Sequence, residues 1–117
     1  MFNHPFQPNG ASCLIAANSS APSGVQLVGD TGTETIGRRQ YRVSNASNMT
    51  VYYATGTNAS LAASAAIIPT NASVGGGHPL PAGATEVITM KTGLYWSAIT
   101  ATNFAGQVFT VTPGNGI

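Results

Sequence analysis

Charge is what this sequence has least of. Four of its 117 residues are Lys or Arg and three are Asp or Glu, leaving 6% charged and a net charge of +1, where ordinary soluble domains carry roughly 25%. The cations, Arg38, Arg39, Arg42 and Lys91, are too few to neutralise the row of phosphates that a nucleic-acid interface needs, so DNA and RNA are excluded as direct partners. The single Cys13 excludes a disulfide within one chain and, inside Cys13-Leu14-Ile15-Ala16-Ala17, reads as a small buried hydrophobe. No apolar run nears the ~18 residues of a membrane-spanning helix. Residues 1–10 have neither the basic start nor the apolar middle of a signal peptide, which predicts a chain made in the cytosol.

The shortage extends to catalytic groups. Asp30, Glu34 and Glu86 are the only acids, and His4 and His78 the only histidines. A covalent mechanism needs a nucleophile beside a base, and paired-carboxylate chemistry needs two acids with divergent environments. His4 falls in a Pro-containing leading segment and His78 follows three glycines, so neither has the rigid support of a base or metal ligand. Gly24 to Gly32 loosely imitates a phosphate loop but lacks the Gly-Lys-Ser/Thr ending. Asp30-Thr31-Gly32 matches the aspartic-protease triplet over three residues only, in the wrong flanking context. The expectation is no enzyme, no cofactor and no metal.

Ser, Thr, Asn and Gly stand where the charges are missing. Hydrophobic residues still make up 43% and mean hydropathy is +0.12, so the chain can build a core. A hydroxyl-rich, nearly uncharged surface repels its neighbours weakly and favours association. Five Asn-X-Ser/Thr triplets, at Asn18, Asn45, Asn48, Asn58 and Asn71, follow from this composition in the absence of a secretion signal.

Short runs of Val, Ile, Tyr, Phe and Thr alternate with turn clusters from Ser12 onward, which predicts strands over 12–17, 25–29, 39–45, 49–55, 85–90, 95–101 and 107–112. Seven short strands imply an all-β antiparallel sandwich, jelly-roll or Ig-like, occupying 12–117 as one domain. Alternation puts Tyr41 and Val43 on the buried face and Arg42 outward. Asn45-Ala46-Ser47-Asn48 reads as the turn of a hairpin over 39–55. Pro113-Gly114 should stop the last strand, which is expected at an edge or beside another chain. A helix of at most two turns is expected over 60–66, capped by Asn58 or Ser60, and 70–84 reads as a loop.

Residues 1–11, with Phe2, Pro5, Phe6 and Pro8 but no periodicity, read as an extended N-terminal arm. Its Phe rings either cover a partner surface or fold back on their own domain. Arg38-Arg39 either grips a carboxylate on a neighbouring subunit or begins a solvated strand. Tyr52, Tyr53, Tyr95 and Trp96 could stack on a sugar, but neighbours in a strand face opposite ways, so one of each adjacent pair belongs to the core.

Gln40-Tyr41-Arg42-Val43-Ser44-Asn45, the Ala-rich segment ending Ile67-Ile68-Pro69, Leu80-Pro81-Ala82-Gly83 leading to Glu86-Val87-Ile88, Tyr95 to Thr100 and Val111 to Gly116 together resemble the small decoration or cement proteins of tailed bacteriophages. The resemblance spans about residues 12–117. It implies a β-sandwich virion protein on the outer capsid surface, stabilising contacts between capsomers. Its partners would be the major capsid protein and further copies of itself, a homotrimer ahead of a dimer, with Phe2, Phe6, Arg38 and Arg39 as contact residues. A fibre or tail module binding glycan, and a neck or head-completion protein, are the alternatives.

Overall fold

The computed structural model describes residues 7–8, 12–27, 38–69, 76–101 and 108–115. Among them run β1 (Gln7–Pro8), β2 (Cys13–Ala16), β3 (Val25–Gln26), β4 (Arg38–Asn45), β5 (Val51–Gly56), α1 (Ala59–Ala65), β6 (His78–Leu80), β7 (Thr85–Lys91), β8 (Tyr95–Ile99) and β9 (Val108–Asn115). Each of the seven segments expected to form strands contains one. The extra two are β1, inside the arm, and β6, inside the stretch read as a loop.

The strands form two packed antiparallel sheets. Sheet A has the order β1-β9-β4-β7 with β2 also on β9, and sheet B has the order β3-β8-β5-β6. Leaving β1 aside, the pairs β5·β6, β4·β7, β3·β8 and β2·β9 nest like the two arms of one long hairpin. The contacts β4·β9 and β5·β8 then roll that hairpin into a sandwich. This is jelly-roll connectivity, distinct from the ABED and CFG sheets of an Ig domain.

Two sequence expectations are corrected here. The 39–55 segment is no hairpin, because β4 lies in sheet A and β5 in sheet B, and the chain between them arches across the sandwich. Nor is β9 an edge strand: β4 flanks it on one side and β1 and β2 on the other, and it continues through Pro113. The N–H of Ala46 donates to the Val108 carbonyl, so by strand alternation the even-numbered residues of β9 bond toward β4 and the odd-numbered ones toward β1 and β2. Register on that side stops at Val111↔Cys13 and resumes at Gly114↔Pro8. Pro113 falls in the break, where a missing N–H costs no ladder bond.

Tyr41 and Val43 are fully buried and Arg42 is exposed, as alternation required. The core spans both sheets through an aromatic cluster. Tyr53 stacks on Phe109 with centroids 5.0 Å apart, and Trp96 lies 5.2 Å from Tyr41 and 6.2 Å from Tyr53. Ile15, Val51, Leu80 and Val111 fill the space around them. Burying each such ring contributes about 2–3 kcal/mol.

Asn45, read from sequence as part of a turn, is a buried tie at the arch. Its Nδ2 donates to the carbonyls of Met49 and Leu80 at 2.8 Å and of Pro81 at 3.1 Å, and its Oδ1 accepts from the Ser47 N–H at 2.9 Å. Its backbone N–H donates to the Ala84 carbonyl and its own carbonyl accepts from the Gly83 N–H. Gly83, at φ +74°, turns the chain there as an L side chain rarely could. One amide thus holds the β4–β5 arch against the β6–β7 connection.

Candidate functional site

The two sheets differ in what covers their outer faces. On sheet B, Asn58 accepts from the Leu61 N–H through its side chain, starting α1 as expected. The helix seats Ala62, fully buried, against Gly24 and Gly56. Ser97 on the outer side of β8 is buried and donates to the Pro22 carbonyl at 2.6 Å. Sheet B is therefore covered by α1 and the segment leading into β3.

Sheet A has no helix over it among the described residues, and on its outer face Thr112, bonded to Ser12, is buried while its neighbours are open. Leu14, Thr110, Ser44 and Thr85 stand in one row across four strands, with Thr112, Arg42 and Val87 in the next. Leu14 is 65% exposed and Val87 46%. Hydroxyls on this face pair with each other, Ser44 with Thr85 at 3.1 Å and Ser12 with Thr112 at 2.7 Å. Such pairs stiffen the sheet. Among the described side chains its exposed charged groups are Arg42 and Lys91. Glu86 lies opposite buried Val43 and so falls on the inner side. The bare face is small, hydroxylated, partly aliphatic and weakly basic.

A second feature opens at the sandwich edge. β6 pairs with β5 only over Val51 to Tyr53, and beyond its end a cleft of about 400 Å³ lies between β5 and β7, lined by Tyr53, Ala54, Thr55, His78, Ile88, Thr89 and Met90. The Tyr53 and His78 rings are 5.7 Å apart at its wall. Burial, with a smaller contribution from the Glu86 carboxylate, pushes the Tyr53 phenol above its ordinary value. The lining is mainly apolar.

Phe2 and Phe6 lie outside the described residues, as do His4, Asp30 and Glu34. Arg38 and Arg39 begin β4, where Arg38 is in register with Lys91 and half-buried Arg39 with Met90 of the cleft. The described part of the arm, β1, pairs with the end of β9, and Pro8, Gly114, Gln40 and Thr89 share one row. The arm and the arginine pair therefore come to the same end of sheet A. Among the aromatic candidates, Trp96 and Tyr53 are spent in the core, while Tyr52 and Tyr95 are half-buried. Cys13 is half-buried against the core, and burial raises its thiol.

Among the described residues no group of three His, Cys, Asp or Glu could hold a metal ion, and no described helix is long and apolar enough to cross a membrane. Sequence reasoning missed the cleft because it missed β6. Pro79 and Pro81 suggested a loop, although proline within an apolar run is also compatible with an edge strand. Comparison with known protein families, curated proteins and solved structures returned no match in any of the three.

Proposed function

We propose that this chain is a virion structural protein, a decoration or cement protein that docks on the outer surface of a tailed-phage head and stabilises contacts between capsomers. The supporting observation is the asymmetry of the sandwich: sheet B is covered by α1, while sheet A offers a stiff, weakly charged face with Leu14 and Val87 exposed. The low overall charge and the resemblance drawn from the sequence point the same way. The jelly roll is compatible with this role but does not carry it, since that architecture serves unrelated functions.

Four strands by seven residues give the bare face an area on the order of 400 Å², about half of what one partner contributes to a standard stable interface. A single copy would hold weakly. Several copies docking together gain by effective concentration, which supports a homo-oligomer, the trimer before the dimer. Arg42 and Lys91 favour an acidic capsid surface, and Arg38 and Arg39 at the start of β4 belong to the proposed contact set together with Phe2 and Phe6.

The test is co-sedimentation with heads that lack the protein. Saturation at a fixed ratio to the capsid protein is expected. Leu14→Glu combined with Val87→Glu should lower occupancy at least tenfold while leaving the far-ultraviolet spectrum unchanged. Absence of binding by the folded wild-type chain would overturn the proposal.

A further inference from the structure

The cleft and the arm stand at opposite edges of one sheet. β1, which begins the described chain, flanks β9 at one side of sheet A, and β7, which walls the cleft, forms the other. In the row Pro8, Gly114, Gln40, Thr89 they are three strand spacings apart, about 14 Å. The cleft wants an apolar filling. Tyr53, Ala54, Ile88 and Met90 line it, and its 400 Å³ lies at the small end of pockets that take ligands, room for one or two side chains.

The segment before β1 carries two large apolar side chains, Phe2 and Phe6. We propose that the cleft receives this N-terminal segment from a second copy of the chain, with Phe2 seated among Tyr53, Ile88 and Met90. Entering the same molecule's cleft would require the five residues before Gln7 to turn back across the end of the sheet, spanning ~14 of the roughly 17 Å they can cover. Pro5 disfavours that turn, because it fixes its own φ and biases His4 toward extended backbone.

The edge of β7 away from β4, unpaired among the described residues, assists. The Asn45 N–H donates to the Ala84 carbonyl, which sets the alternation of the β4·β7 ladder and aims the backbone groups of Val87 and Thr89 away from β4. An incoming extended segment can bond to them, adding main-chain affinity to the side-chain anchor. Donor and acceptor lie on different surfaces of each copy, so the exchange either is reciprocal and closes a two-fold pair or runs head to tail and closes into a ring when the rotation per copy allows. The partner copy thus completes the cleft with a residue of its own N-terminal segment.

The experiment needs no capsid, so its failure is distinct from failure of the docking proposal. In full-length chain carrying Cys13→Ser and keeping Phe2 as the anchor, Asn3→Cys, whose side chain faces outward when an extended segment turns Phe2 inward, and Thr89→Cys on the outer side of β7 are combined and oxidised, and separately placed on two chains that are then mixed. Expected are disulfide-linked multimers from the first and linked pairs, several-fold above either single variant alone, from the second. A bond confined to one chain, or no bond, overturns the proposal. Thr89 is exposed, so its replacement leaves the core untouched. Light scattering of Phe2→Ala in an otherwise natural chain gives a second reading: the mass should fall to one copy, and an unchanged oligomer overturns the proposal.

Discussion

The side-chain amide of Asn45 donates to the Leu80 carbonyl at 2.8 Å across 35 positions of sequence. That bond joins the arch leaving sheet A to the last residue of β6, and the same nitrogen also reaches Met49 and Pro81. Asn45→Asp replaces the donor with an acceptor that faces three carbonyls. The expected loss is about 3 kcal/mol, or roughly 10 °C in melting temperature. Urea denaturation with an unchanged slope checks it, and a loss below half that size would remove Asn45 from its role as a tie.

Gly56 lies under the helix, where an added Cβ would come within 2.5 Å of the Ala62 backbone nitrogen. Backbone cannot swing aside as a side chain tip can. Gly56→Ala should therefore cost about 1–3 kcal/mol and speed hydrogen exchange over 59–65. At Gly83 an added Cβ meets nothing within 4 Å, but φ is +74°. Its alanine variant should lose only about 1 kcal/mol, with exchange in the helix unaffected.

Tyr53 makes stability depend on alkaline pH. Its phenol is raised by burial and then by Glu86, so the folded chain keeps that proton after the unfolded chain has lost it. The contribution is fully present below the ordinary phenol pKa and is lost as pH rises through the folded value. Denaturation midpoints should fall above about pH 10, and Tyr53→Phe should flatten part of that fall. An equal slope in the variant would assign it to other groups.

Cys13 should be slow to react. Its thiol is half-buried and raised by desolvation, and only the thiolate is a strong nucleophile. An aromatic disulfide reagent at neutral pH should modify the native chain at least tenfold more slowly than the urea-unfolded chain. Equal rates would mean that β2 opens freely from β9.

Local patterns were legible in the sequence wherever one element decides them. Tyr41 and Val43 turn inward because a strand alternates, and Asn58 caps α1 because its side chain can reach the Leu61 N–H. Which sheet a strand joins is a different kind of fact. Asn45 to Asn48 has the composition of a turn whether the chain reverses within a sheet or arches to the other, and only burial of Asn45 separates the two. Pro113 would stop a strand bonded on both sides, yet β9 continues because the register breaks opposite it. The bare face and the cleft depend on the same non-local choices. Neither Leu14 nor Val87 declares from its neighbours that the far side of its sheet holds the core.

The nesting of the strands also sets the order in which the molecule can form. β9 supplies the central partner of β1, β2 and β4, and it follows every other strand in the chain. Sheet A cannot close on a ribosome until residues 108–115 emerge, when Cys13 meets Val111. The innermost pair, β5·β6, has the shortest loop to close, and the outermost pair has the longest. Folding of the sandwich should therefore wait for β9 and be slow for the domain's size, on the order of milliseconds to seconds. Until β9 arrives, the exposed edges of β2 and β4 are open to strands from other nascent chains.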